Sequence, residues 1–247
     1  MPAISYQLYS SRNWPIEETV AMLEDLGVEE VEGFGPLYDD PAATKALLDA
    51  HGLKMTTGHF ALDLVEGDPE RTLEIARILG VEAVIVPWIA PDLRPTDKAG
   101  WQALAERVAK AGEPIRAAGL AYGWHNHDFE FLPCDDGTLG IEEIAAQPGI
   151  GLELDLAWIH VAGEDPSEWI EKYAGKILAV HIKDRAPAGE KEDEGGWADL
   201  GEGEVDYTHI ILALGEAEVE RWVIEHDNPS DHRRFATRSF NAVSMFV

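Results

Sequence analysis

Short apolar runs alternate along the chain with stretches whose apolar residues recur at helical spacing. Residues 3–9 read as a strand, and residues 15–27 as a helix carrying Val20, Met22, Leu23 and Leu26, closed by Gly27. The same pair of signals then repeats. Strands are expected at 28–34, 53–60, 81–88, 120–127, 150–158, 177–183 and 222–225. Helices are expected after Asp40-Pro41, after Asp68-Pro69, over 98–118 with a kink at Pro114, over 141–146, after Asp165-Pro166, over 207–214 and over 231–246. Asp-Pro opens several of these helices and Gly52, Gly80, Gly119 or Gly175 ends them, as capping chemistry requires. Eight strand-plus-helix units in 247 residues predict an α/β fold, a single (β/α)8 TIM barrel with a parallel eight-stranded barrel inside a ring of helices. A doubly wound open sheet is the weaker alternative, because no Gly-rich turn follows the first strand. No linker composition interrupts the pattern, so one domain over 1–247 is expected.

Composition narrows the partners. The chain is 45% apolar, enough for a sizeable core, and has no run of the ~18 apolar residues that reads as a membrane span. The first residues lack a basic start and a long apolar run, so no secretory signal is expected. Cys134 is the one cysteine, which excludes an internal disulfide and a cysteine zinc site and suits a reducing cytoplasm. Asp plus Glu number 47 against 19 Lys plus Arg, a formal net charge of −28. Such a surface repels phosphate backbones, so nucleic acid is not an expected partner.

In a TIM barrel the site lies at the C-terminal ends of the strands, and these ends are polar. The third ends at His59. The fifth carries His125 and His127, which strand alternation turns to one side, with Glu130 beyond. Glu153 and Asp155 share a face of the sixth, and His181 and Lys183 a face of the seventh. Glu225 ends the eighth, with Asp227 after it. Singly, each is more often a hydrogen-bonded rim residue than a ligand. Together, His125, Asp155, His181 and Glu225 come from four successive strands. Their convergence on one mouth would be costly without a shared partner, and a divalent cation answers that cost. Two imidazoles and two carboxylates suit Mn²⁺, Zn²⁺, Co²⁺ or Fe²⁺ better than Ca²⁺. His127 or Glu130 could replace His125 as the fifth-strand ligand.

Four segments carry a resemblance over nearly the whole chain. They are Tyr122-Gly-Trp-His-Asn-His-Asp-Phe-Glu-Phe131, Glu153-Leu-Asp-Leu-Ala-Trp158 with Ala162-Gly163 and Asp165-Pro166, Val180-His-Ile-Lys-Asp184, and Glu192-Asp-Glu-Gly-Gly-Trp-Ala-Asp-Leu-Gly-Glu-Gly203. With them the sequence resembles the xylose isomerase-like TIM-barrel superfamily, the sugar phosphate isomerase/epimerases. In ketose epimerases of that superfamily one metal is held by Glu, Asp, His and Glu, and the two glutamates move protons on opposite faces of the sugar. The resemblance puts the Asp on Asp155, the His on His181 and the last Glu on Glu225. The first Glu falls on the fifth strand, where this chain has His125. Epimerases often have a His three residues after the sixth-strand Asp, where this chain has Trp158, expected to stack on a sugar face or pack the pocket. The His-Asn-His variant is similar to the branch containing 2-keto-myo-inositol dehydratases and enzymes acting on 3-keto-glycosides.

The resemblance implies a divalent-metal-dependent sugar isomerase or epimerase working through an enediolate on a keto sugar or sugar phosphate, with Mn²⁺ the preferred ion and Mg²⁺ also admissible. The alternative is a dehydratase or lyase on a keto-inositol or 3-keto-glycoside. Both begin by removing a proton beside a carbonyl. Glu225 is the first choice for the base and His127 the second. Lys183 or His59 would stabilise oxyanion charge or return a proton. Glu130, Glu153, Trp158 and Arg185 are further candidates for holding substrate. Residues 185–204 form a long loop rich in Gly and acid, either a solvated loop or a lid bringing Trp197 over the sugar. Its carboxylates lean against a phosphorylated substrate, although Arg12, Arg94 and Arg185 could bind a phosphate. Two other classes compete: an endonuclease on abasic DNA, disfavoured by the charge, and a non-catalytic sugar-binding barrel, disfavoured by Asp155, His181 and Glu225. The expected partner is a small carbohydrate, with no membrane, and the outer helices permit a homodimer.

Overall fold

The computed structural model describes residues 1–246. Strands Ala3–Gln7, Glu30–Gly33, Lys54–His59, Ala83–Val86, Ala121–His125, Gly151–Asp155, Ile177–Ile182 and Arg221–Ile224 close into a parallel barrel. Each lies beside its sequence neighbours, and the last pairs with the first through Ala3↔Arg221 and Ser5↔Val223. The principal outer helices are Ile16–Asp25, Pro41–Ala50, Pro69–Leu79, Lys98–Ala111, Gly140–Ala145, Pro166–Tyr173, Tyr207–Glu216 and His232–Val243. The expected (β/α)8 barrel is therefore present.

Local chemistry accounts for the element ends. The carboxylates of Asp40, Asp68 and Asp165 accept the N–H groups of Ala43, Arg71 and Ser167 at 3.0, 2.9 and 2.9 Å, and each is followed by the proline that opens the helix. Gly80 takes the left-handed conformation that ends its helix, at φ 83°. Along each strand one parity points outward, and Val84, Val86, Trp124, Leu152, Leu154, Val180 and Ile224 are buried there. The other parity fills the barrel. The register skips Leu178 where the sixth and seventh strands pair. A Cβ on Gly151 would lie 2.4 Å from Leu178 Cγ, and one on Gly123 2.9 Å from Leu178 Cδ1. These two glycines make room for Leu178 inside the barrel.

Three segments differ from expectation. The helix over 98–118 is broken at Gly112 rather than kinked, because Pro114 sits in the first turn of a new helix, Glu113–Ala117, where its missing N–H costs nothing. The sixth strand stops at Asp155, whose Oδ1 accepts the Trp158 N–H at 2.9 Å and caps a helix, Leu156–Val161. Trp158 thus rides on a helix. The loop over 185–204 folds on itself: Asp184–Arg185 pairs antiparallel with Trp197–Ala198, and Asp184 accepts the N–H groups of Arg185, Gly201, Gly203 and Val205. Among the described residues no helix is long and apolar enough to cross a membrane.

Candidate active site

Strand register fixes the site. Gln7 lies beside Glu32, His125 beside Glu153 and Asp155 beside His181, all on the inward parity near the C-terminal ends. Above them is a cavity of about 740 Å³ whose wall includes His59, His125, His127, Trp158, Trp197, Glu225 and Asp227. His125 and His127 both face it, as alternation requires.

Two clusters meet under this cavity and share His125 and His181. In the first, ligand atoms of His125, Asp155, His181 and Glu225 all lie within 4.8 Å of one another. His125 Nε2 and His181 Nδ1 are each 3.9 Å from Asp155 Oδ2, and His181 Nδ1 is 2.8 Å from Glu225 Oε2. Asp155 Oδ2 is buried and accepts no well-aligned hydrogen bond. That oxygen is ion-paired with the Lys183 ammonium at 2.9 Å and also faces two imidazole nitrogens and a second carboxylate, a donor set that fits a divalent cation. Lys183, itself buried, places Nζ 2.9 Å from Asp155, 2.8 Å from Glu225 and 3.0 Å from Asp227, beneath Trp197 at 4.7 Å and Trp158 at 5.6 Å. The second cluster brings His59, His125, Glu153 and His181 within the same limit. There Glu153 Oε2 is 2.6 Å from His59 Nε2 and 3.1 Å from His125 Nδ1, while Glu32 Oε1 is 2.7 Å from His181 Nε2.

Charges follow from this packing. Burial alone would raise Glu225, but Lys183 and His181 hold its carboxyl well below the usual range. Burial would lower Lys183, yet Asp155, Asp227 and Glu225 keep its ammonium charged. Burial pushes Asp155 up to about 6, against the pull of Lys183. Burial, with His181 adding to it, lowers His125 to about 3. Burial also drives His127 well down, with His125 and Lys183 contributing, so its imidazole is neutral. His127 Nδ1 has no partner.

Other sequence candidates lie elsewhere. Glu130 is turned away from the cavity: the short turn Phe129–Phe131 curls it back to accept Trp124 Nε1 at 2.9 Å and the His127 N–H at 2.9 Å, so it braces the loop holding His127. Glu153 is fully buried behind the imidazoles and does not line the cavity. Arg185 also lies outside its wall, bonding Gly195 O and stacking 4.8 Å behind Trp197. Trp158 and Trp197 meet edge to face at 4.7 Å on the cavity wall. Gln7 and Glu32 join the site without having stood out in the sequence, and Asn126, the centre of the His-Asn-His motif, joins it through the backbone of Asp155. Asn126 ties two strands by accepting the Asp155 N–H at 3.0 Å and donating to Asp155 O at 3.3 Å.

Comparison with known proteins agrees with this architecture. The family described as xylose isomerase-like TIM barrel matches residues 20–239. The rhizopine catabolism protein MocC of Rhizobium meliloti is 22% identical over 243 residues, covering 85% of this chain and 74% of that protein. An inosose dehydratase of Clostridium beijerinckii is 26% identical over 136 residues, 50% of this chain and 46% of that enzyme, so the match spans about half its length. A sugar phosphate isomerase/epimerase from Parabacteroides distasonis superposes with a TM-score of 0.80 at 21% identity, over 99% of this chain and 93% of the other.

Proposed function

Since the chain belongs to the xylose isomerase-like TIM barrel family, we propose that it is a metal-dependent lyase acting on a keto sugar or keto-polyol. It removes the proton beside the carbonyl and expels a β-oxygen as water or as an aglycone. The observation that carries this is the inequality of the cavity walls. One side presents Glu225 and Asp227 with Lys183 behind them, while His59, His125 and His127 stand on the fifth- and third-strand side. The carboxylate that a two-glutamate epimerisation needs on the fifth strand is an imidazole. The inosose dehydratases among the relatives supply independent support.

His125, Asp155, His181 and Glu225 would hold the cation. When bound, Mn²⁺ or a similar ion supplies Lewis-acid stabilisation of negative charge on the substrate oxygens. Glu225, kept ionised by Lys183 and His181, takes the α-proton. The Lys183 ammonium, held behind Glu225 and Asp227, lends positive charge to the wall where oxyanion charge develops. His127, also on the cavity wall and neutral, is the second candidate base. Trp158 and Trp197 give the sugar an apolar face and restrict water.

The test is turnover of keto sugars, keto-inositols and 3-keto-glycosides with Mn²⁺ in deuterated water. Loss of water or aglycone with an unsaturated ketone product is expected. Deuterium at the α-carbon with the skeleton intact would instead establish the isomerase or epimerase reading, for which His127 across from Glu225 is the favouring feature. No turnover together with no metal binding would sink both.

A further inference from the structure

The two clusters compete for the same two imidazoles, and a hydrogen-bond chain decides between them. Gln7 Oε1 accepts the Tyr9 N–H at 3.0 Å, which fixes the side-chain amide so that Nε2 points inward. Nε2 is a donor only. It lies 2.6 Å from Glu32 Oε1 and 3.3 Å from His59 Nδ1, so His59 Nδ1 accepts and His59 Nε2 carries the proton. That proton is donated to Glu153 Oε2 at 2.6 Å. His59 Nε2 therefore has no lone pair to give a cation in the cluster it forms with Glu153.

The shared imidazoles follow the same logic. Glu153 Oε2 receives His125 Nδ1 at 3.1 Å, and Glu32 Oε1 receives His181 Nε2 at 2.7 Å. With protons on those nitrogens, the lone pair of His125 Nε2 faces Asp155, while His181 Nδ1, which donates to Glu225 Oε2 at 2.8 Å in the metal-free protein, turns a lone pair to a cation once that proton is released. A histidine that binds metal through one nitrogen and donates the other N–H to a carboxylate has its tautomer and ring plane fixed. Both carboxylates are fully buried, and neither lines the cavity. Glu32 and Glu153 each keep a second oxygen without a partner, so neither is saturated by this duty.

We propose that Glu153 and Glu32 are positioning carboxylates outside the ligand set. They lock His125 and His181 in the tautomers that aim at one divalent cation between Asp155 and Glu225. This rests on the metal-dependent function proposed above and goes beyond it by assigning the wall that directs the ligands and by excluding His59 and Glu153 from coordination.

The full chain, stripped with a chelator, is titrated with Mn²⁺ and with Zn²⁺ by calorimetry. ¹⁵N shifts of the imidazoles are recorded alongside, and melting of the metal-free proteins checks folding. The wild type is expected to bind about one ion with His125 as its Nδ1–H tautomer. Glu153→Gln is expected to keep that stoichiometry, weaken binding ~10–100-fold and mix the His125 tautomers. Glu32→Gln is expected to do the same at His181, and serves if the first variant does not fold. Glu153→Asp should recover part of the loss, and Asp155→Asn should abolish binding. Unchanged affinity in both glutamine variants would overturn the inference, as would a Glu153→Gln protein that binds no ion while Asp155→Asn still does. In both cases the metal-dependent function would stand. A wild type that binds neither ion would overturn the function and this inference together.

Discussion

The loop over 185–204 places Trp197 on the cavity wall, and a buried ion-pair clamp fastens it. Glu194 is 1% exposed, and its Oε1 accepts the Ser230 N–H, the Ser230 hydroxyl and Arg234 Nη2, each at 2.6 Å. Asp199 takes Nε and Nη2 of the same Arg234 at 2.9 and 3.0 Å, and Arg238 at 3.3 Å. Arg234 belongs to the closing helix, so the clamp joins the loop to the last element of the barrel. Burial would raise Glu194, but the Ser230 hydrogen bonds and Arg234 bring its carboxyl down to about 2. A folded value below the unfolded one means stability that is present above the ordinary carboxylate range, at about 4.3, and is lost as pH falls toward about 2.

At ~1.4 kcal/mol for each tenfold change in proton affinity, Glu194→Gln should cost at most about 3 kcal/mol at pH 7. Arg234 is 22% exposed, and the water that reaches it screens the pair and makes this an upper value. The linkage relation leaves about 1.5 kcal/mol of the difference at pH 3. Urea unfolding of wild type and variant at pH 7, 5, 4 and 3, followed by tryptophan fluorescence, reads this directly. A difference that stays constant across that range would refute the assignment, because a purely steric defect carries no proton linkage.

Three further outcomes follow from the site. Glu225→Gln should lower kcat ~10²–10⁴-fold and suppress α-proton exchange into deuterated water, measured by NMR. Lys183→Met leaves Asp155, Glu225 and Asp227 without their cation, so kcat should fall ~10²–10³-fold while the metal-free protein melts earlier, both read on one preparation. Adding Mn²⁺ to stripped protein at about 100 times its dissociation constant should stabilise it by ~2.7 kcal/mol in calorimetric melts, and Asp155→Asn should remove that gain.

The barrel was legible because its signals are local: apolar runs such as Val84-Ile-Val86 and the Asp-Pro pairs at Asp40, Asp68 and Asp165 need no tertiary knowledge. His59, His125, Asp155, His181 and Glu225 could be found because polar groups on the inward parity of a strand end are costly to bury unless they meet a partner in the barrel mouth. Glu32 obeys the same rule, sharing a face with Glu30, but it was hidden among 47 acidic residues, most of them expected on a solvated surface. Its inward parity beside Gln7 was the available signal. Arg185 and Glu130 were placed by proximity in sequence, whereas their directions are set by the ribbon with Trp197 and by the turn at Phe129–Phe131. Such directions depend on contacts that no local pattern records.

The fifth-strand histidine is best understood together with its neighbour in register. His125 pairs with Glu153 across the strands, and Nδ1 lies 3.1 Å from Oε2. His125→Glu, the change toward the epimerase pattern, would set a second buried carboxylate against Glu153 where an N–H donor now stands. One of the two would have to take up a proton, and Glu153 would lose one of its imidazole partners. The single change should therefore destabilise the protein and impair metal binding even though it restores a carboxylate ligand. His125→Glu combined with Glu153→Gln removes the repulsion and supplies an amide donor, so the double variant should regain ~1–3 kcal/mol relative to the sum of the single changes. A double-mutant cycle in urea, with Mn²⁺ titration of each protein, measures that coupling. Strict additivity would mean that His125 and Glu153 are independent, and that the histidine owes nothing to the carboxylate beside it.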